Sequence, residues 1–159
     1  MEKFIWWLEP GRVAGMMMPW LAPERRLAGN AALDEFDDEL QQLHNLGVCS
    51  VVSLLNIKSD QSVYESAGFH FFCSPIKDFG APTIEQMHEL CDFIDTAPGA
   101  VAVHCEGGLG RTGTVLAGWL IRNGADPEEA IARVREAEPG AIESNAQINF
   151  ICRFHESLN

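Results

Sequence analysis

Two residues six apart, Cys105 and Arg111, are of types that together could do chemistry on a phosphate. They sit in the stretch Val101-Ala-Val-His-Cys-Glu-Gly-Gly-Leu-Gly-Arg-Thr-Gly-Thr114. A thiolate can attack phosphorus, and a guanidinium can grip two phosphate oxygens with its planar fork while staying charged. Between them lie Glu106, Gly107, Gly108, Leu109 and Gly110. The glycines let the backbone turn tightly and aim N–H groups inward, making a ring of donors that would hold a phosphate-sized dianion and favour the thiolate beside it. Thr112, directly after the arginine, can donate its hydroxyl to the sulfur and stabilise it as a leaving group. An N-cap-region role for the same threonine is compatible with that. A bare Cys and Arg six apart is a weak signal, expected by chance in something like a tenth of chains this long. The flanking His104, the three glycines and the Thr-Gly that follows each lower the chance rate by roughly tenfold. The competing reading, a glycine-rich turn around a buried, inert cysteine, ranks well below.

Positioning such a loop takes a strand before it and a helix after it. Ala100 to Val103 is an apolar run with β-branched residues, which reads as a buried strand. From Thr112 on, Val115, Leu116, Trp119 and Leu120 recur at helical spacing to about Asn123, where Gly124 stops the helix. The loop therefore meets the helix N-terminus, whose amides lack internal partners and carry the positive end of the dipole.

The rest of the chain alternates the same way. Residues 5–8 and 12–16, separated by Glu-Pro-Gly, predict a hairpin. Met16, Met17 and Met18 read as core filler. A helix is expected from about Asp34 to Leu46, with Leu33, Phe36, Leu40, Leu43 and Leu46 as its apolar stripe and the acidic run from Asp34 to Glu39 loading its first turn. Strands follow at Val48–Leu55 and Phe69–Ile76, with a short helical turn near 61–67 between them. Thr83 and Gln86 form a capping box opening a helix to about Thr96. Asp126-Pro127-Glu128-Glu129 opens a helix to about Ala137, and a last helix starts near Ser144 with Ile148, Ile151, Phe154 and Leu158 on one side. Strands alternating with helices, and a nucleophile at the carboxyl end of a strand, predict an α/β domain with a central, largely parallel sheet flanked by helices and the hairpin at an edge. Residues 1–159 are long enough for one such domain and too short for two.

His-Cys-x5-Arg-Thr-Gly resembles the signature loop of the cysteine-dependent protein tyrosine phosphatases, and the chain more narrowly resembles their small atypical dual-specificity members. The likeness extends in order through Trp7–Gly15, Leu46-Gly47-Val48 with Val52-Ser53-Leu54, Ile76-Lys77-Asp78-Phe79, and Pro139-Gly140-Ala141-Ile142-Glu143 with Gln147. It implies the same fold and a metal-independent phosphatase working through a phosphocysteine. Asp78 by its residues alone is a loop aspartate capping a turn; the resemblance makes it the general acid and base. His104 is implied as an orienting residue whose ring hydrogen-bonds backbone near the loop. Glu143 and Gln147 are implied to border the pocket and position water, while Ser144-x-x-Gln147 reads equally well as a capping box. Lipid- and inositol-phosphate-cleaving relatives carry lysines in this loop, so Glu106 and its small neighbours argue against phosphoinositides. The expected substrate is phosphotyrosine in protein, with phosphoserine or phosphothreonine also open to a shallow pocket, and Glu106 at the rim favouring basic flanks. The alternatives are a small-molecule or RNA 5′-phosphate substrate and a phosphate-binding module without turnover.

A net charge of −12 speaks against nucleic-acid and anionic-membrane partners, so positive potential must be local, from the loop amides and Arg111, with Lys77 and Arg12 as candidates to add to it. Five cysteines, odd in number and without zinc-like spacing, suit reduced thiols. With no apolar run of bilayer-spanning length and no signal-peptide layout at the start, a cytoplasmic location is the default, and a monomer is expected. No metal or cofactor is implied, and His44, His70, His88 and His155 show no ligand-like spacing. Cys73 is a candidate to trap an oxidised Cys105 as a disulfide.

Overall fold

The computed structural model describes residues 4–19, 30–57 and 60–159. Its elements are β1 (Ile5–Glu9), β2 (Val13–Met16), α1 (Asn30–Asn45), β3 (Val48–Ser53), α2 (Asp60–Ser66), β4 (His70–Cys73), α3 (Ile84–Thr96), β5 (Ala100–His104), α4 (Gly110–Arg122), α5 (Pro127–Ala137) and α6 (Asn145–Ser157). The five strands form one sheet in the order β1-β2-β5-β3-β4. Only the β1–β2 pair is antiparallel; β2–β5, β5–β3 and β3–β4 are parallel. The predicted α/β class, the largely parallel sheet and the edge hairpin are all present.

The strand β5 is central and buried on both faces, which explains its unbroken apolar run. Val101 and Val103 join the larger core with Val52, Leu90, Leu116, Phe150 and Phe154. Ala100 and Ala102 face the smaller core, made with Met16, Leu40, Leu43, Val51 and Tyr64. Helices thus cover both sides of the sheet. Almost the whole of α4 is buried, from Gly110 to Ile121, so the element that receives the loop is fixed by packing all round.

Several boundaries move from the sequence expectation. Helix α1 starts at Asn30, because Ala31, Ala32 and Leu33 are good helix formers with nothing to break them. The acidic run consequently lies beyond the first turn rather than in it. Of the expected stripe, Leu40 and Leu43 are buried, Leu46 is exposed past the helix end, and the side chains of Leu33 and Phe36 lie outside the described residues. Strands β3 and β4 are shorter than expected, yet the chains beyond them stay paired: Leu54 N donates to His104 O, Ser74 N to Ser53 O and Ile76 N to Leu54 O. Those bonds carry the segment before Asp78 to the same sheet edge as Cys105. Leu158 is exposed, since α6 ends at Ser157.

Candidate active site

The strand β5 ends at His104, and the chain turns at once into the loop 105–109 before α4 begins at Gly110. The N-cap of α4, Leu109, makes no side-chain capping bond, so the first amides of the helix have no side-chain partner. Gly108 has φ +76°, and a Cβ there would run into the backbone of Met16 and Met17. Only glycine allows both the left-handed conformation and that approach. Met18 N donates to Glu106 O at 3.0 Å, tying the end of the hairpin segment to the loop a second time.

A third tie is Trp6, a residue the sequence reading treated only as strand. Its indole Nε1 donates to Gly108 O at 3.0 Å across 102 residues of chain, in a buried setting. Gly15 stands opposite Trp6 in the hairpin, and a Cβ on it would collide with the indole ring and with Thr112. The glycine makes the slot that lets the ring reach the loop. The available signal was chemical: a buried tryptophan needs an acceptor for its N–H.

Cys105 is buried. Thr112 Oγ1 donates to its Sγ at 3.1 Å, one turn into the helix. His104 is fully buried and its Nδ1 lies 3.0 Å from Cys105 O, which makes that nitrogen the proton-bearing one. Arg111 is buried too; Nη1 donates to Ile76 O at 3.0 Å and Nη2 lies 3.4 Å from Asp78 Oδ1. Asp78 itself is exposed, and its Oδ1 accepts from Phe79 N at 3.0 Å. A cleft of about 290 Å³ is lined by Asp78, Phe79, Cys105, Glu106, Gly107, Arg111 and Glu143. The residues singled out from sequence are therefore gathered at one place, with Gln147 behind the rim rather than on it.

Gln147 is fully buried and completes a capping box with Ser144: Ser144 Oγ accepts from Gln147 N at 3.2 Å, and Gln147 Oε1 accepts from Ser144 N at 3.1 Å and Glu143 N at 2.7 Å. Arg135 on α5, also unforeseen, donates from Nε to Ala141 O at 3.0 Å and from Nη2 to Ile142 O at 2.8 Å, fixing the segment that presents Glu143. Ile142 sits at φ 64°, a conformation a β-branched residue adopts only when its surroundings impose it.

Two expectations change. Arg12 lies just before β2, at the opposite end of the sheet from the loop, 3.6 Å from Asp95 and over the Trp119 ring, so it adds no positive potential to the cleft. Cys73 pairs with Ser53, which pairs with His104, so two strand spacings of about 4.8 Å separate it from the end of β5. A disulfide needs Cα atoms within about 7 Å. Partial burial, then the charge of Asp60, also push the Cys73 thiol up, and its Sγ donates to Leu55 O. Neither residue belongs to the site. Among the described residues no cluster of His, Cys, Asp or Glu could hold a metal ion, and no helix is long and apolar enough to cross a membrane.

Comparison with known proteins identifies the family and the fold. The family described as a polymorphic toxin system DSP-PTPase phosphatase matches residues 28–125. Protein tyrosine phosphatase type IVA 2 of Mus musculus is 32% identical over 120 residues, covering 72% of this chain and 70% of its own. Dual specificity protein phosphatase CDC14C of Symphalangus syndactylus is 29% identical over 139 residues, which is 86% of this chain and 28% of that protein. The chain spans less than a third of the length of the CDC14 relatives it matches. The crystal structure of Tk-PTP in its active form superposes with a TM-score of 0.78 at 31% identity, covering 98% of this chain and 99% of that one.

Proposed function

We infer the activity from family membership: the chain belongs to the dual-specificity protein phosphatases of the cysteine-dependent tyrosine phosphatase superfamily. The proposed reaction is metal-independent hydrolysis of phosphotyrosine in proteins, with phosphoserine and phosphothreonine also admitted, carried out by one catalytic domain over residues 1–159. The observation that carries it is the cleft in which a thiol held by a threonine hydroxyl, an arginine and a carboxyl meet at an uncapped helix N-terminus.

Cys105 Sγ attacks phosphorus in line with the ester oxygen, forming the S–P bond as the P–O bond breaks. The loop amides of 106–111 and the Arg111 fork hold the three equatorial oxygens, where charge is spread in the transition state. Asp78 gives its proton to the departing oxygen. Arg111 faces both the phosphate and Asp78, so substrate binding exchanges one anion for another on the guanidinium. In the second step Asp78 takes a proton from water, the water oxygen attacks phosphorus, and the S–P bond breaks with the Thr112 hydroxyl stabilising the sulfur. His104, through Nδ1–H to Cys105 O, orients the start of the loop.

Glu106, Glu143 and Asp78 put three carboxylates around a cleft that holds Arg111. That charge opposes polyanions such as RNA ends or inositol phosphates and suits a single phosphoryl group on a peptide with basic flanks. A net charge of −12 supports the further proposal that the protein binds neither nucleic acid nor anionic membrane, and a cytoplasmic location and a monomeric state are proposed with it. The test is p-nitrophenyl phosphate hydrolysis in EDTA from pH 5 to 8. Wild type turns over, Cys105→Ser abolishes turnover, and Asp78→Asn lowers it by about a hundredfold. Phosphate or vanadate binding without turnover would leave a binding module instead.

A further inference from the structure

We infer that Ser144 and Gln147, in the first turn of α6, are positioning residues for the general acid: they hold the backbone that aims Asp78. The inference rests on the proposed reaction and adds to it a device the carboxyl needs. Asp78 is 62% exposed, and its contacts are Phe79 N and Arg111, so little packing fixes its side chain and its placement is inherited from its backbone. The two carbonyls that follow it are both held from α6. Ser144 Oγ donates to Phe79 O at 2.7 Å, and Gln147 Nε2 donates to Gly80 O at 3.1 Å, across 65 and 67 residues of chain. Phe79 lies between at φ 60°, with 59% of its surface exposed. A phenylalanine in the left-handed region with so little burial must be kept there by something other than its own side chain. The two bonds from α6, with Gly80 N closing the turn on Lys77 O at 2.8 Å, supply that constraint.

The arrangement assigns Gln147 to the first chemical step. Its Oε1 is committed to two backbone amides and its Nε2 to the acid loop, so the side chain is a strut rather than a holder of the attacking water. Proton transfer requires the acid within hydrogen-bond reach of the ester oxygen, and a displacement of about 1 Å can cost a hundredfold.

Two substitutions cut the struts and keep the helix cap. Gln147→Glu retains the oxygen that accepts from Glu143 and Ser144 and loses the N–H donor; Ser144→Asp retains the cap acceptor and loses the hydroxyl donor. Thermal melts establish that each is folded. Activity is compared on phenyl phosphate, whose poor leaving group needs an acid, and on 2,4-dinitrophenyl phosphate, whose leaving group does not. Added charge weighs on both substrates alike, so the ratio isolates the acid. The expected result is a fall of about 10- to 100-fold in the ratio of kcat/KM on phenyl phosphate to kcat/KM on dinitrophenyl phosphate. Equal losses on both substrates, or no loss in either variant, would overturn it. Wild type inert on both substrates, or activity surviving Cys105→Ser, would sink the proposed reaction itself.

Discussion

Replacing Trp6 by Phe tests whether the edge hairpin is part of the phosphate-binding machinery. The substitution removes the N–H that satisfies Gly108 O and keeps most of the ring in the slot opposite Gly15. A buried carbonyl left without its donor costs about 1–3 kcal/mol. The lost ring volume adds about 1 kcal/mol of apolar burial, for a total of about 2–4 kcal/mol. Gly108 carries the loop's left-handed turn, so part of that loss will be spent as a misaligned loop, and each 1.4 kcal/mol misspent there lowers vanadate affinity and kcat/KM about tenfold. Urea denaturation and vanadate titration of the same preparations read the two parts separately. Trp7→Phe is the control, because Trp7 packs against the other core and makes no bond to the loop. A Trp6→Phe variant within about 0.5 kcal/mol of wild type, with vanadate affinity unchanged, would refute the idea that the indole holds the loop.

Gly108→Ala should abolish phosphate binding, since the added Cβ meets Met16 and Met17 backbone and the left-handed region costs about 1–2 kcal/mol besides; retained vanadate affinity by calorimetry would contradict it. Arg135→Ala removes two hydrogen bonds that hold Ala141 and Ile142, and should lower stability by about 2 kcal/mol in urea while Arg135→Lys recovers only part. Burial pushes the Cys91 thiol up to about 12, with Arg122 opposing and Asp95 and Asp92 adding to the rise. A thiol raised in the fold above its ordinary 9.0 contributes stability that is complete below pH 9 and lost as pH climbs toward 12, by at most ~4 kcal/mol. Cys91→Ala should therefore flatten the alkaline fall of the urea midpoint, and a fall as steep as that of wild type would count against it.

The elements whose signals are local were legible in the sequence. Thr83 with Gln86, Asp126 with Pro127, and Ser144 with Gln147 all cap the helices they were expected to open. The Cys105 loop was legible because its neighbours, a doubly buried strand and an apolar helix, declare themselves by composition. What stayed hidden depends on backbone acceptors outside the element that carries the donor. Trp6, Ser144 and Arg135 each spend a side-chain donor on a carbonyl of another segment, and no periodicity marks a carbonyl that needs a donor. The start of α1 was misplaced for another reason: an acidic run mimics a first turn, while Asn30 to Leu33 ahead of it are already helical.

The central place of β5 sets the order in which the molecule can be made. Strand β2 waits for its parallel neighbour, and Trp6 waits for Gly108, 102 residues further on; at about 5–20 residues per second of synthesis that is about 5–20 seconds with an unpaired hairpin edge. Contacts so distant in sequence slow folding, because the loop closure must be met before the pairing rewards it. The loop that holds Cys105 is consequently among the last parts to be fixed. A hairpin variant that folds slowly would spend longer as an aggregation-prone strand edge than as a faulty enzyme.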